Sequence, residues 1–144
     1  MKARELMSSD LDWVTPDDAI TRAAQLMRDR DIGSLPVVES KDSMRLTGII
    51  TDRDITVRHV AEGHKPDCAV REAMSTGELA TVRPDDDESS VMELMKSRQV
   101  RRVPVCEDGG RVVGMIAQAD LALKAKDEEQ VEETVERISE PSRR

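Results

Sequence analysis

The sequence has no phenylalanine, no tyrosine and a single tryptophan, Trp13. Any core must therefore be aliphatic, built from Val, Ile, Leu, Met and Ala. The chain also lacks the aromatic platforms on which single-stranded nucleic acid stacks. Basic residues are in the minority, 22 Lys and Arg against 30 Asp and Glu, for a net charge of −8. Binding to a phosphate backbone needs a concentrated basic surface, so nucleic acid is not an expected partner. Cysteine is scarce: Cys68 and Cys106 do not make a disulfide framework. No apolar run approaches the roughly 20 residues that a membrane-spanning helix requires, and no signal peptide opens the chain. The expectation is a soluble cytoplasmic protein. At 144 residues it is one domain, or two small ones packed as a unit, with enough chain to bury a core without staples.

What the sequence does have is an internal repeat. Val14-Thr15-Pro16-Asp17-Asp18 recurs as Val82-Arg83-Pro84-Asp85-Asp86, and Ile32–Val38 (IGSLPVV) recurs as Val100–Cys106 (VRRVPVC). GIITDRDI at 48–55 recurs as GMIAQADL at 114–121. The offset is 68 in the first two blocks and 66 in the last, which places a shortened hairpin loop in the second copy. Each copy predicts the same order. A short strand ends at Pro16 or Pro84, and a helix follows, capped in the first copy by Asp17 or Asp18 and running to about Arg30, in the second spanning 86–97. Strands are expected at 35–38 and 46–51, then 102–106 and 111–117, each pair followed by a second helix (52–61, 118–126). The fold class is α/β (α+β). Expected boundaries are repeat 1 at 1–62, a linker and lead-in at 63–79, repeat 2 at 80–126 and an acidic tail at 127–144. VREAM in the linker matches KARELM at residues 2–7, the lead-in of each unit. Glu88 replaces Ile20 in the repeat, which predicts a solvated first turn for the second copy's first helix. Val131, Val135 and Ile138 form one apolar stripe on a tail helix ended by Pro141; docking on its own domain is expected, partner binding the alternative.

The turn G-h-h-T-x-x-D carries polar chemistry. Thr51 stands at a strand end, where a helix N-terminus with a hydroxyl and the cation Arg53 nearby makes an anion site. Asp54 can accept two hydroxyl hydrogen bonds, as a ribose offers. Helix capping accounts for Thr51 and Asp54 without any ligand. The second copy keeps Gly114 and Asp120 but has Ala117 and Ala119 where the first has Thr51 and Arg53.

The two-fold repeat, the VTPDD and VRPDD helix starts, the LPVV and VPVC strands and the paired glycine turns together resemble the CBS domain pair, or Bateman module, over residues 2–126. The resemblance implies a β-α-β-β-α unit twice over, packed through the sheets as a pseudo-two-fold disc with clefts that bind adenosine derivatives: AMP, ADP, ATP or S-adenosylmethionine. It implies ribose contacts from Asp54 and Asp120 and ribose or phosphate contacts from Thr51. It implies phosphate contacts from the positions before the proline-valine strands, Gly33 and Ser34 in one copy, Arg101 and Arg102 in the other. The adenine pocket is lined by Thr15-Pro16 and Arg83-Pro84. It further implies a regulatory, non-catalytic homodimer that senses a nucleotide and passes its occupancy to a regulated protein. A ligand-free dimerisation scaffold is the alternative, and a redox- or metal-responsive protein using His59, His64, Cys68 and Cys106 the next.

His59, His64 and Cys68 lie within ten residues of each other. The spacing H-x4-H-x3-C matches no zinc signature and offers three ligands, so ordinary surface histidines are the expected reading and metal the alternative. Cys106 ends a strand where Val38 stands in the first copy, which predicts a buried apolar role. No nucleophile elbow, P-loop or dinucleotide fingerprint is present.

Overall fold

The apolar runs around Pro36 and Pro104 become the buried strands of two hairpins. In this computed structural model, which describes residues 1–141, β1 (Ser34–Val38) pairs antiparallel with β2 (Leu46–Thr51), and β3 (Arg102–Cys106) with β4 (Val112–Ala117). Equivalent residues occupy equivalent registers: Ser34 faces Thr51, and Arg102 faces Ala117. Proline lacks a donor, and its carbonyl does the outer pairing instead. The Val14 amide donates to the Pro36 carbonyl (3.2 Å) and the Val82 amide to that of Pro104 (3.0 Å). The short first strands thus contract to one parallel bridge each, Val14 to Val37 and Val82 to Val105. The loop between the strands is shorter in the second copy, where Gly109 and Gly110 take positive φ.

The helices follow the repeat with instructive differences. The short turn α1 (Ala3–Leu6) opens the chain; α2 (Ile20–Arg30) and α4 (Glu88–Arg98) are the first helices of the two copies. In α4, Asp87 caps by accepting from the Ser90 amide (2.8 Å). Neither Asp17 nor Asp18 caps α2, whose N-cap is Ala19 with no side-chain bond. Asp18 closes the preceding turn instead, accepting from the Thr15 amide (2.8 Å), as Asp86 does from that of Arg83 (2.9 Å). After β2, the single turn α3 (Asp52–Asp54) continues into a π-helix, Ile55–Val60, where a plain α-helix is expected. Its counterpart α5 (Gln118–Lys124) is regular. The tail helix α6 (Glu128–Ser139) buries Val131 and Ile138 in its own unit's core. Glu88 is not solvated: its carboxylate accepts from the Lys126 amide and pairs with the Met1 amino group, both at 3.0 Å.

Two compact units result: one is Asp12–Leu79, the other Met1–Leu11 together with the residues from Ala80 onward. These cut the chain differently from the boundaries expected at 1–62, 63–79, 80–126 and 127–144. The reason is that the lead-ins are exchanged between copies. On the second copy, the Ala3 amide donates to the Asp86 carbonyl (2.7 Å) and the Arg4 amide to that of Pro84 (3.0 Å). On the first, Val70 donates to Asp18 (2.8 Å) and Arg71 to Pro16 (3.1 Å). Arg4 pairs with Asp85 just as Arg71 pairs with Asp17. The repeated glycine serves this docking. A Cβ on Gly48 would lie 2.7 Å from the Ser75 carbonyl of the lead-in, and one on Gly114 would meet the Met7 side chain. Each unit has its own aliphatic core: Val14, Ile20, Leu35, Val37, Ile50 and Val70 in one; Leu6, Met92, Met95, Val103, Ile116 and Leu121 in the other.

Candidate functional site

The residues expected to hold a nucleotide fall into two sets, one in each unit. At the end of the first hairpin the structure brings Ser34, Thr51 and Asp54 together. Ser34 is the register partner of Thr51, and Thr51 and Asp54 form a reciprocal capping box. The Asp54 amide donates to the Thr51 hydroxyl and the Thr51 amide to Asp54 Oδ2, both at 3.0 Å. Two orphan amides of the helix start are satisfied this way. Arg58 approaches the other Asp54 oxygen at 3.7 Å, and Arg53 is exposed. In the second set, the Ala117 amide donates to Asp120 Oδ2 (2.7 Å), and Lys124 lies 3.5 Å from Oδ1. Arg102, half-buried, faces Ala117 across the hairpin, Arg101 is exposed, and Arg83 is paired with Asp108. Thr15 and Pro16 are half-buried beside the turn that Asp18 closes. The aspartates that resemblance assigns to ribose are thus already engaged by backbone amides.

A second constellation lies wholly within the unit Asp12–Leu79. His59 on the π-helix, His64 in the following turn and Cys68 at the start of the lead-in each offer one donor atom, and no two of these atoms are more than 4.8 Å apart. The π-register continues past the helix. The Ala61 amide donates to the Thr56 carbonyl (2.9 Å) and the His64 amide to that of His59 (3.1 Å), both five residues back. Such i→i+5 turns are rare and recur at functional sites. The two imidazoles meet edge to face, centroids 5.9 Å apart.

The donor set passes a chemical test for a transition metal. His59 is buried, and its Nδ1 is the one buried side-chain nitrogen or oxygen among the described residues with no hydrogen-bond partner. An unsatisfied buried polar atom costs about 1–3 kcal/mol, which an ion bound at that nitrogen would recover. Two imidazoles and a thiol suit zinc, whose ligands lie roughly 2.0–2.3 Å from the ion. Desolvation pushes the Cys68 thiol up, and the Glu72 carboxylate, hydrogen-bonded to it, and Asp67 push the same way. The thiol is therefore protonated at neutral pH, and ligation must release its proton. Cys106, in the other unit, is no part of this cluster; burial raises its thiol to about 11.

His59, His64 and Cys68 are the candidates the sequence offers, with surface histidines the expected reading; that holds for exposed His64, whereas the π-turn that carries His59 inward has no signal in H-x4-H-x3-C. The burial of His59 is the missing signal.

The model of the CBS domain matches residues 3–59 and 70–127. The chain belongs to the CBS-domain family. It is a tandem pair of β-α-β-β-α units, a regulatory module and not an enzyme. It is 36% identical over 120 residues to hypoxic response protein 1 of Mycobacterium tuberculosis, covering 83% of this chain and 82% of that one. It is 35% identical to the CBS domain-containing protein YhcV of Bacillus subtilis, covering 94% of each. Among solved structures it matches hypoxic response protein I with two coordinated zinc ions, at a TM-score of 0.78 and 33% identity, over 88% of this chain and 100% of that one. No helix among the described residues is long and apolar enough to cross a membrane.

Proposed function

We propose that this CBS pair is a metal-responsive regulatory module, holding a zinc-class ion on His59, His64 and Cys68. The observation that carries the reading is the convergence of those three donors around a buried imidazole whose Nδ1 has nothing to bond. The relative in the zinc-bound structure supports zinc as the ion. The nucleotide reading rests on family resemblance; Asp54 and Asp120 each commit one carboxylate oxygen to a backbone amide, which helix capping alone explains. Occupancy would reach a regulated protein as a shift between conformations that bind the ion unequally. A homodimer is the expected assembly, for which exposed Val57, Val60 and Leu123 leave apolar area; sedimentation equilibrium measures it. The site is tested by competing chelator-stripped protein against a chromophoric zinc indicator. Wild type should bind one zinc per chain, and His64→Ala and Cys68→Ser should each weaken it by at least tenfold. Heat on titration with AMP or ATP, with zinc ignored, would reverse the ranking of the two readings.

A further inference from the structure

The segment that carries the metal donors also holds the start of α2. The Ile20 amide, first in the helix, donates to the Cys68 carbonyl (2.8 Å). One residue on, the Thr21 hydroxyl donates to the Pro66 carbonyl (2.7 Å). The lead-in then runs on through the Val70 amide, bonded to Asp18. The second copy makes the equivalent bond, from the Glu88 amide to the Met1 carbonyl (2.8 Å), but there the Asp87 side chain caps the helix as well. At the corresponding place the first copy has Ala19, with no side-chain cap. The N-terminus of α2 therefore takes its cap from the backbone of residues 66–68, whereas α4 has a side-chain cap on the Ser90 amide in addition to the Met1 carbonyl. His59 and His64 fix the other side of that segment, through the π-helix and the turn after it.

Resting on the metal reading, we infer that the ion acts as a staple: occupancy clamps residues 64–68 against α2, so that the bonds capping α2 open less often in the metal-bound protein. The clamp joins the last helical segment of the first repeat to the chain leading out of it. Metal occupancy is thereby transmitted to the first helix of the repeat and to the exchanged lead-in. Donors sharing one tetrahedral zinc lie roughly 3.5 Å apart, from ligand distances of 2.0–2.3 Å. All three donors already lie within 4.8 Å of one another, so loading needs only a small approach, which the exposed His64 side chain can supply.

Hydrogen exchange on the full chain tests this, comparing chelator-stripped protein with the same protein given zinc chloride, with bound zinc counted in parallel. Zinc should slow exchange at the amides of Ile20 and Val70 by tenfold or more and leave Glu88 and Ala3 unchanged. Ala19→Asp, which gives α2 the side-chain cap that α4 has, should protect the amide of Arg22, the counterpart of Ser90, without zinc and leave the zinc response of Ile20 in place. His64→Ala, altering an exposed side chain, should stay folded and lose both zinc and the effect. If one zinc binds and Ile20 exchanges at the stripped rate, the staple is wrong while the metal site stands. If no zinc binds, both are wrong.

Discussion

At the scale of single residues, one difference between the two glycine turns is a hydroxyl, and the structure gives that hydroxyl a job. Thr51 accepts from the Asp54 amide; Ala117 has nothing to offer the amide of Asp120. Replacing Thr51 by Ala should cost about 1 kcal/mol, and Ala117→Thr should gain about 0.5–1 kcal/mol, by urea denaturation. The cap on α4 adds a pH signature. Its hydrogen bonds from the Ser90 amide and side chain hold the Asp87 carboxyl below its ordinary value of 3.8. A carboxyl depressed in the folded state contributes stability that is complete above the ordinary value and lost as pH falls through the depressed one. Asp87→Asn keeps a capping oxygen and removes the titration, so its acid unfolding should begin at lower pH than wild type. The cysteines separate by environment. Both thiols are raised, so both should alkylate slowly at neutral pH; half-buried Cys68 should react faster than buried Cys106 in stripped protein and be shielded by zinc.

Among the elements, the hairpins were legible because two short apolar runs flanking a polar loop leave few alternatives. The expected strands at 35–38 and 46–51 lie within one residue of β1 and β2. Two features were not legible, both set by contacts distant along the chain. KARELM and VREAM were recognised as equivalent, but which copy each docks on is decided by hydrogen bonds to Pro84 and Asp86 or to Pro16 and Asp18. The π-helix carries no composition signal at all. The repeated glycine is the visible trace of lead-in docking, and its two instances should not tolerate alanine equally. A Cβ at Gly48 meets backbone, the Ser75 carbonyl at 2.7 Å, whereas one at Gly114 meets the movable Met7 side chain. Gly48→Ala should cost about 1–3 kcal/mol and Gly114→Ala less, measured side by side in urea.

For the molecule as a whole, two similar units carry different chemistry. Both keep the hairpin, the capped turn and the borrowed lead-in, and the unit Asp12–Leu79 alone contains the His59–His64–Cys68 cluster. In the second copy the place of His59 in the repeat is taken by Ala125, after a regular helix. A ligand that binds only the folded unit stabilises it by mass action, by about 2.7 kcal/mol at a hundredfold excess over Kd. The most direct test of the account is cobalt(II) added to the stripped protein and followed by absorption. One cobalt per chain should give a thiolate-to-metal charge-transfer band that zinc abolishes and Cys68→Ser lacks. Saturation without that band, or no binding at all, would contradict the assignment of His59, His64 and Cys68 as a metal centre.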